Sequence, residues 1–236
     1  MPFTKSFVNG VFRIILRTLC RIDAKDLVKL PPKGPLIVVS NHINILEVAV
    51  LFTHVMPRRV TGYAKAETWD SPIYAPLFDI WEAVPIRRGE IDMNAVRGAL
   101  QKLDEGLIFG LAPEGTRTHD GRLIRGKPGV VLLALRSGAP IIPIVSYGHE
   151  NFKSDWKRFR RTPIKLVVGP IFHLDPGDER VTGEIRQKMT DEIMYQIAAL
   201  LPERYRGVYA DLDKATTRYL RFIDEPLTMS SSANYS

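Results

Sequence analysis

The sequence predicts a single α/β domain: a mixed, largely parallel sheet flanked by helices, with an amphipathic helical appendage at the N-terminus. Three observations carry that prediction. Short apolar runs of strand length recur along the chain, helical patterns lie between them, and several runs break abruptly into polar residues, as strands do at the carboxyl edge of a parallel sheet. The 236 residues suffice for one such core. Hydrophobic residues at 45% and charged residues at 25% are globular values.

From Phe3 to Leu19, the residues Phe3, Phe7, Val8, Val11, Phe12, Ile14, Ile15 and Leu19 form a broad helical stripe interrupted by Lys5, Arg13 and Arg17. Two readings fit: a helix lying in a membrane interface, or a terminal helix docked on the core with its basic face in water. Pro31-Pro32-Lys33-Gly34 ends this appendage and opens the core. The expected organisation is therefore a membrane-associating segment over residues 1–30, a main domain over 31–225 and a disordered tail over 226–236.

Within the main domain, Pro35–Ser40, Val60–Ala66, Ala83–Ile86, Leu107–Leu111, Ile141–Tyr147 and Lys165–Phe172 read as strands. Asp92 is placed to cap a helix running to Leu103, with Gly106 past its end. Pro128 to Arg136 reads as another, stopped by Gly138. Thr182 to Leu201 carries a helical pattern through Ile185, Met189, Ile193 and Ile197 that halts at Pro202, and a second helix is expected to follow as far as Ile223.

Composition narrows the function. No uncharged apolar stretch approaches the eighteen or so residues of a membrane-spanning helix, and Lys5, Arg13, Arg17 and Arg21 interrupt any signal-peptide core. The expectation is a protein on the cytoplasmic side of a membrane, peripheral or monotopic. Cys20 is the lone cysteine, which excludes an internal disulfide framework and a cysteine-cluster metal site. No bound cofactor or metal is expected. The formal charge of +7 favours polyanionic partners, and six basic residues between Lys153 and Lys165 against Asp155 alone form one patch.

A histidine followed five positions later by an acid occurs at His42/Glu47 and at His173/Asp178. The second pair lies in a turn sequence, His173-Leu174-Asp175-Pro176-Gly177-Asp178, whose acids most simply satisfy backbone donors. His42 instead leaves an apolar strand and precedes a helix that begins near Asn44. On one continuous helix the pair would diverge by about 140°. With His42 in the loop and Glu47 in the first turn, contact becomes possible, and Glu47 would orient the imidazole as a general base. Asn44-Ile45-Leu46-Glu47 is equally a capping box, in which Glu47 tidies the helix start.

Pro113-Glu114-Gly115-Thr116-Arg117 follows another strand. Gly115 permits a tight turn, Thr116 and neighbouring N–H groups donate, and Arg117 offers a planar fork to phosphate oxygens. Glu114 would hold a cation or an acceptor hydroxyl. Val84-Pro85-Ile86-Arg87-Arg88-Gly89 ends a further strand with two guanidiniums, and Lys65-Ala66-Glu67 ends one more. Gly121-Arg122-Leu123-Ile124-Arg125-Gly126-Lys127-Pro128 has the glycine and lysine spacing of a nucleotide P-loop, but Pro128 takes the hydroxyl position and no strand precedes it.

Taken in order, these blocks resemble the glycerolipid acyltransferase family, whose best-known members act on 1-acylglycerol-3-phosphate. The likeness spans about Leu36 to Val145. It rests on His42 with Glu47 where the family usually has Asp, on Val84 to Arg88, on Ala112-Pro113-Glu114-Gly115-Thr116-Arg117 where Phe usually leads, and on Pro140-Ile141-Ile142-Pro143-Ile144. Glu82 stands where a glycine is common.

The resemblance implies that His42 deprotonates the acceptor hydroxyl, with Glu47 orienting and charging it, for attack on an acyl-CoA or acyl carrier protein thioester. Arg87, Arg88, Glu114, Gly115, Thr116 and Arg117 would position the acceptor's phosphate, with help from Lys65. It implies a lysophospholipid acceptor and a membrane surface as partners. Two other readings are a non-catalytic lipid-binding protein of the same fold, and nucleic-acid binding through Phe152, Trp156 and Phe159 among basic residues.

Overall fold

The computed structural model describes residues 2–72, 74–87, 92–118 and 120–223, with residues 2–5 as backbone alone. Along the chain the elements are α1 (Pro2–Leu19), β1 (Cys20–Asp23), β2 (Leu36–Val39), α2 (Leu46–His54), β3 (Val60–Lys65), α3 (Ala75–Ile80), β4 (Val84–Ile86), α4 (Met93–Asp104) and β5 (Ile108–Leu111). They continue with α5 (Gly129–Ser137), β6 (Ile141–Tyr147), α6 (Phe152–Lys157), β7 (Thr162–Val168), β8 (Phe172–Leu174), α7 (Gly183–Leu200) and β9 (Leu220–Phe222). The strands form one mixed sheet in the order β1-β7-β6-β2-β5-β3-β4, with β8 and β9 attached beside β6.

The run β6-β2-β5-β3-β4 is parallel throughout, and β7 joins it antiparallel to β6. The central strands read as continuous apolar runs because both faces are covered. Alternation divides their side chains. Ile37, Val39, Phe109, Ile141 and Val145 face α4, α5 and α7, while Leu36, Val38, Ile108, Ile142 and Ile144 face α1, α2 and Trp81. Each such side chain, fully buried, stabilises the fold by roughly 1.5–3 kcal/mol.

Capping chemistry sets the helix ends. Asp92 accepts the N–H groups of Asn94 and Ala95 to start α4, Thr182 accepts Ile185 N–H to start α7, and Gly138 closes α5 at φ 63°.

The structure departs from the sequence reading in three places. The expected strand Lys165–Phe172 is two strands, broken at Gly169-Pro170. A Cβ at Gly169 would lie 2.7 Å from Pro143 Cγ and 2.8 Å from Leu200 Cδ1, so the chain kinks where only glycine fits. The expected second helix up to Ile223 is a series of 3-10 turns followed by β9. Here Pro202 and Gly207 interrupt, and the backbone presses on the 121–126 segment through Leu123 N–H to Tyr205 O (2.9 Å) and Val208 N–H to Leu123 O (3.1 Å). Finally, the sheet begins at Cys20, upstream of the boundary expected at Pro31, because β1 pairs parallel with β7. The tail expected over 226–236 lies outside the described residues.

Helix α1 docks through Leu16, Phe12 and a buried Asn9, which accepts the indole N–H of Trp81 at 2.9 Å. Its opposite side carries Phe7, Val11, Ile14 and Ile15 into solvent. At its C-terminal end Arg161 donates to the carbonyls of Arg17 and Cys20, and Trp156 Nε1 donates to Leu19 O. Burial pushes the Cys20 thiol up to about 11, so it is no nucleophile near neutral pH.

Phe152 and Trp156 are half-buried and stack edge to face at 5.0 Å. Of the three aromatics proposed for base stacking, Phe159 alone is exposed, and the other two spend their faces on each other and on the core.

Candidate active site

The carboxyl ends of the adjacent parallel strands β5, β2 and β6 converge at one edge, where an open α/β sheet places its ligands. Strand β2 delivers Ser40-Asn41-His42, β5 delivers Ala112 to Arg117, and β6 delivers Gly148-His149. Asn41 ties two of these exits together. Its amide donates to Ser146 O at 2.8 Å and accepts Ser146 N–H at 2.9 Å, continuing the sheet's hydrogen bonding through a side chain.

The structure brings His42 and Glu47 together, with Nδ1 2.5 Å from Oε1. His42 sits in the loop and Glu47 in the first turn of α2. Glu47 also accepts Asn44 N–H with both oxygens at 3.1 Å, while Asn44 Oδ1 accepts Leu46 N–H at 2.9 Å. Capping and histidine contact therefore coexist in one carboxylate. Glu47 is 7% exposed, so its charge acts on His42 through little water. Nδ1 faces the acid, and Nε2 has no hydrogen-bond partner among the described residues. A neutral imidazole held that way presents a lone pair at Nε2.

Glu114 lies beneath this loop, fully buried. Its Oε1 accepts His42 N–H at 3.0 Å and its Oε2 accepts Ile124 N–H at 3.1 Å. Both oxygens thus serve the protein's own backbone. Burial pushes the carboxyl up to about 7, opposed by these two bonds and by the nearby His42. Thr118 N–H donates to His42 O at 2.9 Å, closing the turn onto the histidine loop from the other side.

Gly115 adopts φ 67°, and a Cβ there would lie 3.2 Å from Lys127 Cδ and Nζ. The turn therefore needs glycine, and it brings in Lys127, an ammonium the motif reading passed over. Thr116 and Arg117 are exposed beyond it. Arg117 lines an open cavity of about 440 Å³ with Thr118, Asp120, Arg122, Leu123, Ile124, Gly207 and Val208. Two guanidiniums, one carboxylate, a hydroxyl and apolar walls thus meet there.

Lys65 and Arg87 end β3 and β4 at the same edge and are exposed. These strands stand two and three positions from β2, roughly 10 and 14 Å across the sheet. They flank the His42 loop and do not adjoin it. Arg88 lies outside the described residues. Glu82 adopts φ 56°, the left-handed region that suits the family's usual glycine. The conformation is held by Arg59, by Lys102 Nζ at 3.3 Å and by Thr61 Oγ1 donating to Glu82 O at 2.7 Å.

Sequence reasoning missed His149, which is fully buried with Nε2 3.6 Å from Glu47 Oε2. The signal was present: an apolar strand, Ile141–Tyr147, breaking into Gly148-His149, the same grammar that marks His42. His173 lies on β8, paired with Arg221, consistent with a structural role.

Comparisons with known proteins bear on the family and the fold. The protein-family model described as Acyltransferase matches residues 21–147. A 1-acyl-sn-glycerol-3-phosphate acyltransferase of Bacillus subtilis (strain 168) is 24% identical over 199 residues, covering 82% of this chain and 95% of the relative. One from Pseudomonas aeruginosa is 27% identical over 195 residues, covering 79% of this chain and 72% of the relative. The alpha form from Mus musculus is 30% identical over 189 residues, covering 78% and 64%. The crystal structure of the 1-acyl-sn-glycerophosphate acyltransferase PlsC from Thermotoga maritima superposes with a TM-score of 0.60 at 21% identity, covering 83% of this chain and 78% of that one, and shows the same fold. With more than half its length matched by the family model, this chain belongs to the glycerolipid acyltransferase family.

Proposed function

We propose that this acyltransferase moves a fatty acyl group from an acyl-CoA or acyl carrier protein thioester to the free hydroxyl of a lysophospholipid, with 1-acylglycerol-3-phosphate as acceptor and phosphatidic acid as product. The observation that carries it is the His42–Glu47 contact of 2.5 Å at the sheet's carboxyl edge. In this reading His42 Nε2 removes the hydroxyl proton as the oxygen attacks the thioester carbonyl. Glu47 stabilises the imidazolium that forms. The carbon–sulfur bond then breaks, the thiolate takes the proton back from His42, and the ester remains. No covalent acyl-enzyme is needed, because a thiolate leaves readily.

The Arg117 and Arg122 side chains on the 440 Å³ cavity favour an anionic headgroup in the acceptor, with Lys127 beside the Gly115 turn as a third cation. In this role Glu114 acts from beneath, holding the His42 loop.

Membrane attachment is part of the same proposal. Phe7 is 65% and Ile14 68% exposed, on the side of α1 opposite its docked face. A helix that merely covered the core would turn those residues inward, so the exposed stripe favours an interfacial helix. Helix α1 ends where β1 and β7 begin, and β7 runs antiparallel to β6, so this end and the turn after α6 share the active-site edge. That turn presents Phe159, fully exposed at φ 53°, between Arg158 and Arg160. Apolar stripe, basic turn and active site would meet one cytoplasmic-side lipid surface. Among the described residues no helix is long and apolar enough to cross a membrane.

The test offers purified protein a panel of lysophospholipids with acyl-CoA and acyl carrier protein thioesters and detects products by mass. Phosphatidic acid formed by the wild type and lost in His42→Ala is the expected result. Lipid binding without any acyl transfer would favour the non-catalytic reading.

A further inference from the structure

We infer that His149 is a positioning residue for the reaction: a neutral imidazole, protonated on Nε2, that holds the Glu47 carboxylate in line with His42. Glu47 lies between two histidine rings, with Oε1 2.5 Å from His42 Nδ1 and Oε2 3.6 Å from His149 Nε2. At 3.6 Å the second contact is long for a hydrogen bond, but Ser146 Oγ stands 3.2 Å from the same nitrogen. An N–H at Nε2 therefore has a hydroxyl acceptor and a carboxylate in front of it.

The other ring nitrogen decides the tautomer. Among the described residues Nδ1 of His149 is buried with no partner. A proton there would leave an unsatisfied N–H in the core and turn the Nε2 lone pair toward Ser146 Oγ–H and the Glu47 carboxylate, with no donor left for the carboxylate from this ring. A proton on Nε2 leaves only an unpaired acceptor at Nδ1, which costs less than a buried N–H without a partner. Burial disfavours the charged ring and outweighs Glu47 and Glu150, the two acids that favour it, so the neutral form is retained.

The backbone fixes the ring's position. Gly148, at φ 95°, turns the chain inward after β6, and a Cβ there would lie 3.2 Å from Pro163 O. Asn44 Nδ2 then donates to His149 O at 2.9 Å, joining this turn to the residue whose N–H binds Glu47. The departure from the usual aspartate acquires a reason: the longer glutamate arm presents one oxygen to each ring.

The inference rests on His42 being the base, which loss of activity in His42→Ala tests separately. Nitrogen NMR of the intact protein labelled at histidine tests the tautomer without turnover. A neutral Nε2–H ring at His149 near neutral pH is expected, and an Nδ1–H or charged ring would overturn the inference.

Kinetics tests the positioning. His149→Gln keeps an N–H near the Nε2 position, whereas His149→Leu removes it. The leucine variant is expected to lose about 10- to 100-fold in kcat with KM nearly unchanged, and glutamine to restore most of it. Glu47 and Glu114 are the acids that face His42. With the His149 donor gone, more of the Glu47 charge acts on His42, so the acidic limb of the kcat/KM profile moves to higher pH in the leucine variant. A leucine variant with unchanged kcat and pH profile, or a folded glutamine variant as impaired as leucine, would overturn the inference.

Discussion

Glu114 Oε1 accepts the backbone N–H of His42 at 3.0 Å, joining residues 72 positions apart in the chain. The acid of the Pro113–Arg117 block thus holds the loop that carries His42. Glu114→Gln leaves either His42 N–H or Ile124 N–H facing an amide N–H. A stability loss of about 1–3 kcal/mol at the acid end of the stability range, near pH 4.5, and a fall in kcat are expected, measured by denaturant unfolding and steady-state assay.

The same residue predicts a pH dependence. Its carboxyl has an ordinary value of 4.5 and is pushed up to about 7 by burial in the folded chain. Between these values the unfolded chain releases a proton that the folded chain keeps. The contribution to stability is therefore fullest below pH 4.5 and declines as pH rises to 7, by something on the order of 3 kcal/mol. The stability gap between wild type and Glu114→Gln should narrow across that window. A gap independent of pH would refute the shift.

Substitution of His42 should separate chemistry from folding. His42→Ala is expected to lower kcat by about 10²- to 10⁴-fold with little change in melting temperature. Glu47→Gln should lower both, because Asn44 N–H loses a carboxylate acceptor. Glu47→Asp keeps the charge and should fall between wild type and Gln. An active His42→Ala enzyme would end the general-base reading.

Arg117 and Arg122 line the same cavity. Replacing either with Ala should raise KM for a phosphate-bearing acceptor by roughly tenfold, in line with a charge-assisted bond of about 1.5–3 kcal/mol, and leave KM for the thioester unchanged. A neutral monoacylglycerol acceptor should show no difference between variant and wild type. Equal losses with both acceptors would place these arginines outside headgroup recognition.

Vesicle sedimentation tests the lipid-facing surface. Ile14→Asp should weaken binding to all phospholipid vesicles, since it puts a charge on the apolar stripe of α1. Arg158→Glu with Arg160→Glu should weaken binding to vesicles rich in anionic lipid and reduce its salt sensitivity. If wild type and both variants sediment equally, α1 and the turn at Phe159 are not the attachment surface.

Gly207 offers a purely structural test. At φ 51°, a Cβ there would meet Leu123 O at 2.0 Å, so Gly207→Ala should destabilise the protein by about 1–3 kcal/mol and distort the cavity wall at Val208. Thermal unfolding would detect it. An unchanged melting temperature would mean that this backbone contact is loose.

Much of this was legible in the chain itself. The strands at Leu36, Val60, Ile108 and Ile141 are covered on both faces and announce themselves by their apolar residues. Asp92, Thr182 and Gly138 mark helix ends because capping is local chemistry. Cys20–Asp23 was not legible as a strand, since Arg21 and Asp23 break any apolar run and its place depends on a partner, β7, about 140 residues on. The 203–223 segment reads as a helix but is not one, because its backbone bonds to Leu123, Glu192 and strand β8, and no local pattern records a distant partner.

The sequence by itself determined the alternating strand and helix order of the central sheet, the family resemblance, and His42 and Glu47 as candidate partners, because residue type and short-range spacing encode strand length, capping and motif. Tertiary structure alone decided that Glu114 is a buried brace beneath the His42 loop, that α1 turns an apolar stripe outward, and that His149 stands beside Glu47. Those facts depend on which chain ends the parallel sheet brings to one edge, and that register is set by packing across distances no local window spans.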